Sequence, residues 1–211
     1  MQRHGPRGSF DPMARTRRFD EQLLLDCAQE AFWVSGYEQT SIEEISTASG
    51  VGNGSIYAAY GSKLGLFLAV FSRYCEGRVQ LVDTVVGSHH GSFESAVANY
   101  LDAIVADCTA RDDFRGCLML NSLAELGSRF PEVVVIGSRT VAEMDRVLER
   151  RVAAGVQSGE LELADDEIEP LGAHIVMVSQ GLIQLSRIGV PAERLRAIAA
   201  STGRMPGLRA A

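Results

Sequence analysis

TSIEEISTASGVGNGSIYAAYGSK, residues Thr40 to Lys63, decides the fold. Ser41 is followed three residues later by Glu44, the reciprocal box that satisfies free N–H groups at a helix start. Ile42, Ile45 and Ala48 then fall on one face at helical spacing. Gly50 can end that helix with a positive φ, where a side chain would clash. Val51 is a lone apolar residue in the turn, able to plug the gap between two helices. Gly52 or Asn53 can open the next helix, whose apolar members Ile56 and Tyr60 lie four apart. Asn53, Gly54, Ser55, Tyr57 and Ala58 fill its other side with small or hydrogen-bonding groups, suited to close approach to base edges and phosphates. Ser62 caps a further helix with Lys63 in its first turn, where a cation opposes the helix dipole and an anionic partner would offset the cost. Two short helices meeting at a glycine-rich turn are the plan of a helix-turn-helix, which offers its second helix to the DNA major groove.

The segment from Phe19 to Tyr74 resembles the N-terminal domain of TetR-family transcriptional repressors. The matching pieces are LLLDCAQEAFWVSGYEQTS, IEEISTASGV and GSIYAAYGSKLGLFLAVF, and within them Phe32, Gly36, Tyr37, Thr40, Ile45, Gly50, Val51, Gly54, Tyr57, Tyr60, Ser62, Lys63 and Leu66. The match covers about a quarter of the chain. Gly52-Asn53 and Tyr60-Gly61 depart from the Ser-Lys and Phe-Pro frequent in the family. The absent lysine removes one phosphate contact. The resemblance implies an all-α fold of about nine helices, in which a three-helix helix-turn-helix DNA-binding domain precedes a larger helical ligand-binding and dimerisation domain. The expected division is a basic, disordered arm over 1–18, the DNA-binding domain over 19–74, the second domain over 75–201 and a frayed tail over 202–211. DNA contacts are expected from Arg17, Thr40, Ser41, Gly52, Asn53, Gly54, Ser55, Tyr57, Tyr60 and Lys63, on a palindromic double-stranded operator.

Composition is consistent with such a protein. Of 211 residues, 46% are hydrophobic and only six are proline, which permits a sizeable core. The apolar runs Val133–Ile136 and Ile175–Val178 are far too short to span a bilayer, and the basic N-terminus has no apolar core of a secretory signal. A cytoplasmic protein without a membrane partner is expected. The net charge of −7 is unevenly spread. Arg3, Arg7, Arg15, Arg17 and Arg18 face Asp11 alone in the first eighteen residues, whereas Asp165, Asp166, Glu167 and Glu169 crowd the C-terminal half. A dimer can thus present a basic edge on an acidic body. The first twelve residues read equally as a solubilising tail, with Met13 an alternative start. Cys27, Cys75, Cys108 and Cys117 form no CxxC pair and have no histidine at metal-ligand spacing, so reduced thiols and neither metal nor cofactor are expected.

Every long segment carries helical periodicity. The expected helices run over 19–35, 41–49, 54–60, 62–86, 92–108, 116–127, 131–157, 165–187 and 191–201. In the eighth, Ile168, Leu171, Ile175, Val178, Leu182 and Leu185 recur at spacings of three and four, as in a coiled-coil seam, with Leu195 and Ile198 added by the ninth. By itself this pattern fits ordinary core. The resemblance implies that these two helices pair with their symmetry mates in a homodimer.

The resemblance also implies a mostly apolar pocket in the second domain for an unknown small-molecule inducer, apolar or electrophilic. Its candidate lining is Phe71, Tyr74, Ile104, Cys108, Cys117, Leu120, Asn121, Met144, Met177 and Gln180, each of which also reads as simple core. RGCLMLNSLAELGSRFPEV, from Arg115, is the best local match in this half. Cys117 there has two readings, a sensor thiol at a helix start beside Arg115 or a small buried apolar residue. The chain contains no GxSxG, GK[ST] or HExxH, and Gly50–Gly54 follows a helix rather than the strand a phosphate loop needs, so no catalytic site is expected. The rival reading is a helical adaptor using its helix-turn-helix for protein contacts.

Overall fold

The computed structural model describes residues 19–110 and 113–202. Arg17, with the rest of the basic arm, and the tail beyond residue 202 lie outside the described residues. Four helices build the head: α1 (Glu21–Gln39), α2 (Ile42–Ser49), α3 (Asn53–Tyr60) and α4 (Lys63–Val82). Asp20 starts α1 by accepting the Leu23 N–H at 3.0 Å. The capping box forms in full, with Glu44 N–H on Ser41 Oγ at 3.1 Å and Ser41 N–H on Glu44 Oε2 at 2.8 Å. Gly50 closes α2 in the left-handed conformation at φ 70°. Leu24, Ala28 and Phe32 of α1, Ile42 and Ile45 of α2, Val51 in the turn, Ile56 of α3 and Leu66 of α4 are all buried, so the head has its own small core.

The chain departs from the sequence reading at Gly36. The apolar period of the first helix ends at Ser35, yet α1 kinks at Gly36 (φ 78°, ψ 170°) and winds on to Gln39. That conformation is almost closed to residues with a Cβ. The kink turns Tyr37 inward, where it is buried.

Beyond the head come α5 (Phe93–Thr109), α6 (Leu118–Leu126), α7 (Pro131–Gln157), α8 (Ile168–Arg187) and α9 (Ala192–Thr202). Pro131 opens α7, where its missing N–H costs nothing. The last turn of α4 widens into π-helical geometry over Asp83–Gly87, and a 3-10 turn over Asp165–Glu167 leads into α8. α7 packs on α4 and α8, α5 packs on α8 and α9, and α1 packs on α4 and α6. The expected boundary between residues 74 and 75 falls inside α4, so head and body share one unbroken helix.

Part of the expected dimer stripe is buried within the chain itself. Ile175, Leu182 and Leu195 are buried within the chain against its own helices, while Ile168, Leu171, Val178, Leu185 and Ile198 are half-buried. Spacing of three and four marks an apolar face without saying whose surface it meets, and here α5, α7 and α9 meet it. The exposed side of α8 carries Pro170, Ala173, Met177, Gly181, Gln184 and Ile188, again at spacings of three and four.

Gly36→Ala should therefore cost about 1–3 kcal/mol of stability, because the added Cβ forces a residue into a glycine-only conformation. It would also sit 3.2 Å from both carboxylate oxygens of Glu125. Urea denaturation followed by helical circular dichroism measures this loss.

Candidate nucleic-acid interface and the cavity behind it

α3 stands on one buried residue, Ile56, and leaves the rest of its surface open. Tyr57 is 47% exposed, and Gly52, Gly54, Ala58 and Ala59 are exposed beside it. A Cβ at Gly52 or Gly54 would meet nothing within 4 Å, so packing inside the protein does not require those glycines. Their effect is to leave the helix start bare. No side chain caps α3; in its first turn the Ser55 N–H is taken by the Gly52 carbonyl at 2.8 Å, and an uncapped helix start is a place where an anion can bind. Asn53 and Ser55 are half-buried alongside, and Asn53 Oδ1 has no partner among the described residues.

The other expected contact residues serve the frame. Thr40 is buried, and its hydroxyl donates to the Gly36 carbonyl at 2.7 Å or the Ala31 carbonyl at 3.1 Å, closing α1 instead of facing a groove. Ser41 carries the capping box. Tyr60 donates its hydroxyl to Glu21 Oε1 at 2.9 Å. Burial, followed by that carboxylate, pushes its phenol up to about 12, so it remains a neutral donor. Lys63 is the chain's single lysine. Its Nζ lies 4.4 Å from the centre of the Tyr37 ring and donates to the Glu38 carbonyl at 3.3 Å, which offsets the unfavourable dipole at the start of α4.

Head and body meet along a polar seam. Glu125 of α6 accepts the Tyr37 and Glu38 N–H groups at 3.2 Å each, one per carboxylate oxygen. These are two donors freed by the kink at Gly36. Arg129 pairs with Glu38 next to them. Farther along α1, Arg115 grips Glu30 with both terminal nitrogens at 2.8 and 2.9 Å and binds Asp113 through Nε at 2.7 Å. These two carboxylates raise the Arg115 pKa further still. The same guanidinium lies over Trp33, whose Nε1 donates to the Gly116 carbonyl at 3.1 Å. Asn121 holds that loop by donating to the Arg115 carbonyl at 2.7 Å.

Behind this seam lies a cavity of about 80 Å³ between α1, α4, α5 and the loop before α6. Of the ten residues expected to line a pocket, Tyr74, Cys108 and Cys117 line it. Asn121 borders a neighbouring open groove instead. Phe71, Ile104 and Met144 are wholly buried in the core, and Leu120 is half-buried. Met177 is 62% exposed on the outer side of α8, and Gln180 is half-buried away from the cavity. The expected apolar character is also replaced: Trp33, Arg78, Asp107 and Arg115 line the space as well. Cys117 precedes α6 as its cap residue and is buried, with Tyr74 donating its hydroxyl to Sγ at 3.4 Å. Burial first, then Cys117, drives the Tyr74 phenol well above its ordinary range.

Sequence reading missed Arg78 and Trp33. A signal for Arg78 existed, because Phe71, Cys75, Arg78 and Val82 are spaced four, three and four along α4, putting one cation on an otherwise apolar stripe. Trp33 gave no such signal, since its partners stand more than forty positions away. Among the described residues no group of three His, Cys, Asp or Glu side chains is placed to hold a metal ion.

Residues 24–70 match the sequence model of bacterial regulatory proteins of the tetR family. The HTH-type transcriptional repressor ComR of Escherichia coli (strain K12) is 30% identical over 191 residues, covering 90% of each chain. The uncharacterised HTH-type transcriptional regulator YezE of Bacillus subtilis (strain 168) is 26% identical, over 87% of this chain and 94% of its own. Among solved structures, a cysteine-substituted form of the TetR family transcriptional regulator CifR, in complex with 26-base-pair double-strand operator DNA, is similar at a TM-score of 0.77 and 32% identity. The alignment covers 91% of this chain and 99% of that one.

The four thiols should react in an order set by exposure. Cys27 and Cys108 are half-buried, whereas Cys75 and Cys117 are buried. Burial pushes the Cys75 thiol up to about 11, so almost none of it is thiolate at neutral pH. Iodoacetamide followed by peptide mass spectrometry should find Cys27 and Cys108 modified well before the other two. Cys117 reacting first would restore the reading of an activated sensor thiol.

Proposed function

This chain belongs to the tetR family of bacterial regulatory proteins, and from that premise we propose that it is a homodimeric transcriptional repressor. It binds a palindromic operator through α3 and is released by a small molecule bound in the second domain. The observation that carries this reading is the bare, uncapped start of α3 with Tyr57 exposed beside it, mounted on a packed helical head. The repressor ComR is similar over nine-tenths of both chains, and CifR was solved on operator DNA. Both support the same role here, in the cytoplasm and without a catalytic step. No single helix among the described residues is long and apolar enough to cross a membrane.

Two α3 helices must reach successive major-groove faces about 34–36 Å apart, which requires a two-fold dimer. The exposed face of α8, through Met177, Gly181 and Ile188, is the surface that pairs. Its small residues let two helices approach closely, and Ile188 is 76% exposed in the single chain. The buried residues Ile175, Leu182 and Leu195 support that face from behind. Gly52, Asn53, Gly54, Ser55 and Tyr57 approach the groove, with Arg17 reaching phosphate. Thr40, Ser41, Tyr60 and Lys63 hold the reading head in shape.

Release follows from the shared helix. A ligand that shifts α4 or the Arg115 loop moves α1 through the seam and changes the separation of the two reading helices. A differential affinity of ~1–3 kcal/mol between the two arrangements gives roughly 5–150-fold release. An adaptor using its helix-turn-helix on proteins has no need of these phosphate donors.

Fluorescence anisotropy on DNA flanking the chain's own gene, backed by a random-sequence selection, tests the reading. Specific binding should fall at least ~10-fold with Tyr57→Ala and should weaken steeply with salt as counterions are released. Salt-insensitive binding, or no sequence selected at all, would favour the adaptor.

A further inference from the structure

One cation inside the body is only half used. Arg78 lines the cavity behind the seam, and its side chain is 9% exposed. Its Nη1 donates to Asp107 Oδ2 at 3.2 Å, towards a carboxylate whose side chain is 60% exposed. Its Nε and Nη2 reach no acceptor among the described residues. Those two nitrogens form one edge of the guanidinium, the side-on fork that matches the two oxygens of a carboxylate. Leaving such a pair of donors buried and unmatched is costly, and a charged acceptor recovers more than a neutral one.

The surroundings select among anions. The second cation of the lining, Arg115, is occupied by Glu30 and Asp113, so among the described residues the Arg78 edge is the unmatched cation of the cavity. Trp33, Cys108 and Ile183 supply apolar walls close to it. A volume of about 80 Å³ exceeds the ~10–15 Å³ that one ordered water needs and suits a molecule of several heavy atoms.

We propose that this cavity takes the carboxylate of a small organic acid, held side-on by Nε and Nη2 of Arg78, with its carbon skeleton against Trp33 and Ile183. The inference rests on the reading of the second domain as the ligand-sensing half, and it replaces an apolar inducer with an anionic one. The ligand would span the joint between domains. Trp33 belongs to α1, Arg78 and Tyr74 to α4, Ile183 to α8, and the Trp33 ring also packs on Tyr74 with centres 5.1 Å apart.

Trp33 is the only tryptophan in the chain, so its emission reports on this cavity alone. Full-length protein would be titrated with acetate, butyrate and benzoate, and in parallel with acetamide, butyramide and benzamide. At least one acid should change the emission saturably, at a concentration at least ~10-fold below its amide, and Arg78→Lys should weaken that acid at least ~10-fold by loss of the fork. Thermal melting shows whether the variant folds, and the acid–amide comparison on the unaltered protein stands if it does not. Equal response to acids and amides, no response to any of the acids, or an unchanged affinity in a folded Arg78→Lys protein would overturn the proposal. Operator binding is measured without ligand on the same preparation. Failure there counts against the repressor reading, whereas a selective acid response beside that failure would still place the carboxylate in the cavity.

Discussion

The structure turns on the reversal at Gly36. A backbone conformation open to glycine, φ 78° and ψ 170°, stops one helical run and restarts another one residue later. Restarting exposes fresh N–H donors, and Glu125 of the second domain takes two of them. The same reversal puts Tyr37 at the centre of an aromatic cluster. Its ring is stacked 6.0 Å from Phe32 and meets Phe67 edge-on at 5.2 Å and Phe130 at 5.7 Å. Lys63 covers its other side. Burial raises the Tyr37 phenol pKa, with Arg129 opposing and Glu38 adding to the rise. Residues of α1, α4 and the turn before α7 thus converge on one side chain, which a glycine at the preceding position allows to turn inward.

That convergence explains why the head is no freely tethered module. Surface ion pairs such as Arg129 with Glu38 add little individually. The carboxylate of Glu125 differs, because it satisfies two main-chain donors, the Tyr37 and Glu38 N–H groups, from another domain. Arg115 adds a second attachment farther along α1, with its guanidinium also stacked over Trp33. The cavity lies directly behind this second attachment. A molecule bound in that cavity, as proposed, would touch the joint itself.

Local chemistry was legible in the sequence and tertiary partnership was not. The capping box at Ser41 and Glu44, the left-handed Gly50 and the start of α7 at Pro131 rest on neighbours within a few positions, and each formed as read. The bond of the Thr40 hydroxyl to the carbonyls of a helix end that continues past Ser35 was not legible, because it depends on the kink at Gly36. The stripe from Ile168 to Leu185 had the right period for a buried face, with Ile175 and Leu182 buried inside the chain and Ile168, Leu171, Val178 and Leu185 half-buried, but periodicity does not distinguish an internal neighbour from a symmetry mate. The cavity was the least legible part. Trp33, Arg78, Asp107 and Cys117 come from four separate segments, and a pocket built from long-range neighbours leaves no spacing to read.

The central claim is that the body sets the reading head through Glu125. The direct test is the operator affinity of Glu125→Ala beside the unaltered protein, with both shown to be folded by thermal melting. Glu125 lies on α6, in the second domain, so it takes no part in the reading surface itself. Operator binding should weaken by about tenfold, equivalent to ~1.4 kcal/mol, because unlatched heads would sample many separations. Operator affinity unchanged in a folded Glu125→Ala dimer would contradict it.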